Sequence, residues 1–380
     1  MIVAAEAPTA HATARLLVVR ETGEVEHHAR DELVELLRPG DLLVANDAAT
    51  IPASLRGTHE RTGSEVEIRL AGRPTLRADD VHRFVAVVFG AGDWRTPTEH
   101  RPPPPAFLPG DRLRLGPLRA TVIGWLDHPR LVGLDFEGDA ALVWAGIAAH
   151  GHPIQYAHVP QPLALWDVWT PLAARPVAFE PPSAGFALRW ATLSRLRARG
   201  IGFASLTHAA GISSTGDPAL DARLPLDEPY CIPVRTARAV RRARREGRRV
   251  IAVGTTVVRA LEHAALTTGE VRAGAGTATG RIGAETALRV VDGIVTGVHE
   301  AGTSHWELLR AFADDATLAR MARELDGAGY RHHEFGDSVL LAATYRPPAA
   351  GTGDPPATAR TPDRARATRA TGNTADGAAW

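Results

Sequence analysis

A run of short alternating segments interrupts the chain between about Gly57 and Glu137. The segments SEVEIRL, HRFVAVVF, DRLRL and RATVIGW alternate apolar and polar residues, and turns containing Gly or Pro separate them. Alternation with a period of two predicts strands with one buried face, and this spacing of turns is typical of a small antiparallel barrel or sandwich. The sequence therefore predicts an antiparallel β-barrel inserted at residues 58–138.

The segments on both sides of this insert have the pattern of an α/β fold. The apolar run DLLVA at 41–45 predicts a strand before the insert, and RRVIAVG at 248–254 predicts a strand after it, followed by a helix. Residues 1–57 and 139–346 are thus predicted to form one discontinuous α/β domain. From residue 347 the chain is rich in Ala, Thr, Pro, Gly and Arg without periodicity, which predicts a disordered tail over 347–380.

Composition excludes several classes of protein. The single cysteine, Cys231, excludes an internal disulfide framework and a Cys-rich zinc site. The chain contains no lysine, which excludes a Schiff-base lysine and a P-loop lysine. The N-terminus lacks the pattern of a signal peptide, and apolar stretches such as 140–149 are too short to span a bilayer. We expect a cytoplasmic protein without a membrane partner.

The segment VIAVGTTVVRALEHA, residues 250–264, is the clearest local unit. An apolar strand ends at Gly254, and Thr255 or Thr256 is predicted to cap the helix that begins there. Free amides at a helix start favour a carboxylate or phosphate, and glycine lets a ligand approach the backbone. Turns of this kind are also common without any ligand. The GxGxxG loop of dinucleotide-binding folds is absent from the sequence.

Several histidines and acidic residues raise the question of a metal site. They are His299, Glu300, His305 and the run His332-His333-Glu334. None has the HExxH spacing that places two histidines on one helix face, so we expect no metal. His299 follows the strand-like segment GIVTGVH, where a site role and a structural role are both open.

The net charge of zero gives no general attraction to nucleic acid. Residues 235–249 nevertheless contain eight arginines on a predicted helix. They are open to two interpretations, contact with a phosphate backbone or a solvated helix face. Ser183, in PSAG at 182–185, is predicted to be the N-cap of a helix over 185–199.

Taken in order, these segments resemble the S-adenosylmethionine:tRNA ribosyltransferase-isomerase family of queuosine biosynthesis over about residues 15–343. LRPGDLLVANDAATIPASLRG at 37–57 resembles its N-terminal signature, PSAG its PTAG, and TGSEVEIRL with LPGDRLRLG its inserted barrel. The best match is VGTTVVRALEHA at 253–264. Near the end, Tyr330-Arg331 and Phe335-Gly336-Asp337-Ser338 are similar to the closing YRF…YGD of the family.

The chain departs from the family pattern at several polar positions. Ala49 and Ser54 stand where the family has arginines, and Ala187 replaces a histidine. Thr207 occupies another histidine position, with His208 one place on. In the stretch after Thr296, His299 is retained while the asparagine, proline and lysine of the family are not.

The resemblance implies an enzyme that uses S-adenosylmethionine as a ribosyl donor, with no cofactor. The implied acceptor is a 7-aminomethyl-7-deazaguanine in a tRNA anticodon. Two alternatives are a diverged homologue acting on another 7-deazapurine, such as a free base, and a catalytically silent paralogue that binds a nucleoside or RNA. The implied catalytic residues are His299, Asp47 and Asp337. Implied substrate-binding residues are Asn46, Ser183, Gly185, His208, Gly254, Thr255, Thr256, Arg259, Glu262 and Arg331.

Overall fold

The structure, a computed structural model, describes residues 2–5 and 14–343. Its strands are β1 (Ile2–Val3), β2 (Arg15–Val19), β3 (Val25–Ala29), β4 (Leu42–Asn46), β5 (Ala48–Thr50), β6 (Ser54–His59), β7 (Glu65–Gly72), β8 (Arg83–Phe89), β9 (Arg112–Leu115), β10 (Leu118–His128), β11 (Leu131–Phe136), β12 (Arg175–Ala178), β13 (Gly202–His208), β14 (Glu228–Ile232), β15 (Val250–Val253), β16 (Gly274–Ala278), β17 (Gly293–Gly297), β18 (Arg331–His332) and β19 (Ser338–Ala342). Its α-helices are α1 (Leu33–Leu36), α2 (Ala140–His150), α3 (Trp190–Ala198), α4 (Pro218–Asp221), α5 (Val234–Arg245), α6 (Thr255–Thr268), α7 (Ser304–Leu309) and α8 (Asp315–Gly327).

A nine-stranded mixed sheet forms the centre of the α/β part, in the order β16-β14-β13-β4-β15-β17-β19-β2-β3. Strands β13, β4, β15 and β17 are parallel neighbours. Every residue of β4 and β15 is buried, because helices cover both faces of parallel strands. On one face Leu42 and Val44 pack with α5 and α6, and on the other Leu43 and Ala45 pack with α1 and α3.

This topology brings four strand ends to one edge of the sheet. The parallel strands β4, β13, β15 and β17 end at Asn46, His208, Val253 and Gly297. Ligand sites of α/β sheets lie beyond the carboxyl ends of their parallel strands. We therefore expect a ligand site among the segments that follow these four strand ends.

The inserted segment forms a closed antiparallel barrel in the strand order β10-β11-β8-β7-β6-β9. Its core contains aliphatic and aromatic side chains from the inward faces of the strands, together with Val143 and Ile147 of α2. The predicted fold class, an α/β domain with an inserted antiparallel barrel, is confirmed.

The domain limits remain a prediction. Strand β6 of the barrel already begins at Ser54, four residues before the predicted insert, and β11 ends at Phe136. The predicted disordered tail over 347–380 lies outside the described residues.

The helix predicted over 185–199 is wrong in its first part. Residues Ser183–Ala187 form a short 3₁₀ helix, and α3 begins at Trp190. Leu188 between them is fully buried with extended backbone angles. Burial of this side chain against the sheet interrupts the helical pattern that the local sequence favours.

Candidate functional site

A cavity of about 270 Å³ lies beyond the carboxyl ends of β13, β15 and β17. Its wall is formed by five segments: 180–184, 210–214, the start of α6, the loop 298–305 after β17, and the turn 332–334. Of the implied site residues, the cavity wall includes Ser183, Gly254, Thr255, Thr256, Arg259 and His299.

The start of α6 faces this cavity. Gly254 is the N-cap residue and has φ of +94°, a conformation that favours glycine. The predicted capping by a threonine hydroxyl is wrong, because within the described residues no side-chain hydrogen bond caps α6. The amide of Val257 donates to the carbonyl oxygen of Gly254, whereas those of Thr255 and Thr256 remain available to an anionic group at the positive end of the helix dipole.

Asn46 holds the helix start and two strand ends together from behind the cavity. Its Nδ2 donates to the carbonyl oxygen of His208 at 2.9 Å and to Thr256 Oγ1 at 3.3 Å. Its Oδ1 accepts from the amides of Ala48 at 3.1 Å and His208 at 3.0 Å. Asn46 thus positions the site and is itself buried.

His299 lies two residues beyond the end of β17 and is open on one side to the cavity. Its Nε2 is 2.8 Å from Thr296 Oγ1, and its ring stacks on His305 with centroids 4.6 Å apart. Burial, assisted by the neighbouring His305, holds the pKa of His299 well below its usual range. The imidazole is consequently neutral near pH 7, the state in which it accepts a proton.

Asp47 and Asp337, implied to be catalytic together with His299, have their hydrogen-bond partners elsewhere in the fold. Asp47 accepts hydrogen bonds from Ser205 Oγ at 2.8 Å and Thr207 Oγ1 at 2.6 Å, across the neighbouring strand. The Asp337 carboxylate is buried and accepts from the amides of Arg15 at 2.8 Å and Arg331 at 2.9 Å. Asp47 thus links the end of β4 to hydroxyl side chains of β13, and Asp337 holds two backbone segments in place.

Arg259 and Glu262 do not form an i, i+3 pair, an arrangement that the sequence allows. Arg259 forms a buried ion pair with Glu228 and donates to the carbonyl oxygens of Leu226 and Ala278. Glu262 instead accepts from three successive amides at 289–291. Arg259 reaches the cavity wall, while Glu262 anchors a loop away from it.

Of four further residues implied to bind substrate, only one lies at the cavity wall. Ser183 lines the cavity but is not an N-cap, since Pro182 occupies that position. Gly185 packs against Thr170, where a Cβ would come within 3.0 Å of its side chain. His208 is fully buried, with Nε2 3.5 Å from Glu228. Arg331 belongs to the turn closed by Asp337.

Glu180 is a cavity residue that the sequence reasoning missed. Its carboxyl group is buried and accepts from Tyr156 Oη at 2.5 Å and from the amide of Ser213 at 3.1 Å. Burial, with the nearby Glu334 carboxylate, raises its pKa to about 7. The signal was a single acid between Phe179 and two prolines, in an otherwise apolar segment.

Comparison with known proteins gives consistent matches along the chain. A family model described as "Queuosine biosynthesis protein" matches residues 1–341. An S-adenosylmethionine:tRNA ribosyltransferase-isomerase from Sorangium cellulosum is 33% identical over 385 residues, covering 91% of this chain and 96% of that protein. One of the same name from Thermus thermophilus is 32% identical over 346 residues, covering 86% and 92%.

Among solved structures, the S-adenosylmethionine tRNA ribosyltransferase of Thermotoga maritima is 25% identical to this chain. The match covers 89% of this chain and 96% of that one, with a TM-score of 0.48. None of the helices within residues 2–5 and 14–343 is both long and apolar enough to cross a lipid bilayer.

Proposed function

Since the chain belongs to the queuosine biosynthesis protein family, whose named relatives are transferase-isomerases, we propose that it transfers and isomerises the ribosyl group of S-adenosylmethionine. The proposed acceptor is a 7-aminomethyl-7-deazaguanine base in a tRNA anticodon. The products are an epoxyqueuosine nucleotide, adenine and methionine. S-adenosylmethionine is a substrate here, and the chemistry assigned below needs no cofactor.

One observation carries this proposal at the level of the site. The start of α6 and the neutral imidazole of His299 line the same cavity, at the edge of the sheet where four parallel strands end. The proposed reaction requires a binding site for a charged sulfonium substrate and a base beside it. Both kinds of group are present, and they come from segments 43 residues apart at the nearest, Thr256 and His299.

The amides of Thr255 and Thr256 bind the carboxylate of the methionyl group in this proposal. The helix dipole and these two amides, from which no backbone carbonyl oxygen of the described residues accepts, favour an anion at this position. The buried Arg259, paired with Glu228, stabilises the wall below the helix start rather than the substrate, because its guanidinium is already hydrogen-bonded to protein carbonyl oxygens.

His299 acts as the base that removes a C5′ proton. The positive sulfonium acidifies these protons, so a neutral imidazole is strong enough to begin the rearrangement. Thr296 holds the ring through its Nε2, and stacking on His305 fixes the ring plane. Asp47 and Asp337 have no direct part in this step, since each is hydrogen-bonded elsewhere.

The test is an adenine-release assay on the full chain with S-adenosylmethionine. The acceptor is tRNA carrying 7-aminomethyl-7-deazaguanine, and parallel reactions contain the free base or unmodified tRNA. Release of adenine and methionine with labelled ribose on the modified tRNA supports the proposal. Transfer to the free base alone would show that the acceptor is a free 7-deazapurine and not tRNA. Absence of adenine with every acceptor would refute the proposal that the protein is an enzyme of this kind.

A further inference from the structure

Two distant segments meet beside the cavity in a cluster of imidazoles and carboxylates. The turn after α8 contributes His332, His333 and Glu334, and the loop between α2 and β12 contributes His158. His158 Nε2 lies 3.4 Å from Glu334 Oε2. The His158 and His333 rings stack with centroids 4.2 Å apart, and one ligand atom from each of His158, His333 and Glu334 lies within 4.8 Å of the others.

The turn that carries this cluster is held in a demanding conformation. His333 has φ of +72°, a left-handed conformation that is uncommon outside glycine and concentrates at functional sites. The amide of Gly336 donates to the carbonyl oxygen of His333 at 3.0 Å, and the amide of Asp337 to that of Arg331 at 2.8 Å. Asp337, through its backbone bonds, therefore fixes the turn that presents His333 and Glu334.

The Nε2 atom of His158, which faces Glu334, lacks a hydrogen-bond partner among the described residues. Although it is only 3.4 Å from the carboxylate, the direction is not that of a hydrogen bond. Nε2 is buried and has no hydrogen-bond partner within residues 2–5 and 14–343. Buried polar atoms are nearly always paired, so a nitrogen left in this way indicates a further ligand between it and the carboxylate.

We infer that His158, His333 and Glu334 bind one divalent transition-metal ion, for which Zn²⁺ is the best match. Two imidazoles and one carboxylate are the ligand set of open zinc sites, where a water or substrate atom takes the fourth position. Two ligands about 2.1 Å from a tetrahedral ion are about 3.4 Å apart, the separation found between His158 and Glu334. The two ring planes lie 15° apart in this stacked arrangement, so binding requires the rings to turn about their side-chain torsions until their lone pairs point at the ion.

A neighbouring group competes for the same ion and must be distinguished. His332 Nδ1 lies 3.1 Å from Glu300 Oε1, and Glu300, His332 and His333 also have ligand atoms within 4.8 Å of one another. We place the ion with His158 because Glu300 is an exposed side chain that must be ordered to bind, whereas His158 and Glu334 are largely enclosed. His299 belongs to neither group, so the inference does not depend on the proposed reaction.

The experiment is a Zn²⁺ titration of the chelator-treated full chain by isothermal calorimetry, with Co²⁺ absorption as a probe of ligand geometry. Wild type should bind one ion, and His158→Ala and Glu334→Gln should each weaken binding at least about 100-fold, because each removes one of three protein ligands. His100→Ala, at an exposed histidine of the barrel, is the matched control for non-specific binding among the 16 histidines and should leave the affinity unchanged.

Three results would overturn the inference. They are the absence of a one-to-one Zn²⁺ isotherm in wild type, equal affinity in wild type and folded His158→Ala, and loss of binding in His332→Ala but not in His158→Ala. Circular dichroism of each variant separates lost binding from lost folding. If His158→Ala does not fold, Glu334→Gln decides, since it keeps the size of the side chain and removes the charge that the ion requires.

Discussion

Asn46 and Thr256 are hydrogen-bonded across 210 positions of sequence, with Nδ2 3.3 Å from Oγ1. The same amide group also binds both backbone groups of His208. One short side chain thus ties the ends of β4 and β13 to the start of α6. The relation explains why an asparagine at a strand end and a threonine at a helix start belong to one site, although Asn46 does not itself face the cavity.

Replacement of Asn46 by Ala should destabilise the fold by about 1–3 kcal/mol, because it leaves the buried amide of His208 without its partner. The carbonyl oxygen of His208 keeps its hydrogen bond from the Ala210 amide at 3.0 Å. Thr256→Val removes only the longer hydrogen bond, from Asn46 Nδ2 to Thr256 Oγ1, and should lower the stability by less. Urea denaturation of both variants and of the double variant measures the individual and coupled effects. Equal stability of Asn46→Ala and wild type would show that these hydrogen bonds do not hold the site together.

His299→Ala should reduce adenine release to the background rate, because it removes the proposed base. Asp337→Asn should instead lower the stability while the folded fraction keeps its turnover, because Asp337 binds backbone amides outside the cavity. Thermal melts and initial rates on the same samples separate the two effects. Wild-type turnover by folded His299→Ala would exclude the imidazole from proton transfer.

The rate of the wild-type enzyme should stay constant as the pH falls from about 8 to about 6.5. Burial lowers the pKa of His299, so its neutral form persists below the ordinary histidine value of about 6.5. Activity then falls at lower pH, as the folded pKa is reached and the base becomes protonated. A pH–rate profile that already declines between pH 8 and 7 would indicate a different base.

Glu180→Gln should stabilise the protein at about pH 8 and leave it almost unchanged at about pH 4. The folded pKa of about 7 lies above the ordinary value of 4.5, so wild type loses stability as the pH rises through this range. The full difference corresponds to about 3 kcal/mol. Glutamine reproduces the protonated carboxyl: its Nε2 donates to Tyr156 Oη, its Oε1 accepts from Ser213, and Tyr156 donates to the carbonyl oxygen of Ser214.

Denaturation of both proteins at the two pH values, in the presence of a chelator, tests this expectation. A constant difference in stability between pH 4 and pH 8 would mean that Glu180 ionises as an ordinary carboxylate. Glu99→Gln, at an exposed glutamate of the barrel, is the comparison for a change of charge without burial.

Gly254→Val should weaken binding of S-adenosylmethionine and also lower stability by about 1–3 kcal/mol, because φ of +94° strains a β-branched residue. Gly269→Val is the matched control: it lies at the other end of α6, has φ of +77°, and a Cβ there meets nothing within 4 Å. Valine strains the backbone in both variants, but only Gly254 lies at the proposed binding site. The affinity for S-adenosylmethionine, measured by calorimetry, therefore separates backbone strain from loss of contact with the ligand. Equal affinities in the two folded variants would remove the helix start from the binding site.

Much of the fold was predictable from local pattern. Alternation with short turns predicted the barrel, and VIAVGTTVVRALEHA predicted β15 followed by α6, because period and turn residues act over a few positions. The helix at 185–199 was predicted too long, since the burial of Leu188 depends on a sheet that is assembled from elsewhere in the chain.

The sequence by itself determined the types and order of the elements, the inserted barrel, and the presence of His299 and the Gly254 turn near strand ends. The tertiary structure decided which side chains meet. Arg259 pairs with Glu228 rather than with Glu262, and Asp337 accepts hydrogen bonds from backbone amides. His158 lies beside His333 and Glu334. Local periodicity specifies how each segment buries its apolar face. These polar partners are instead far apart in the sequence and come together through the order of the strands and their connections, which local spacing does not reveal.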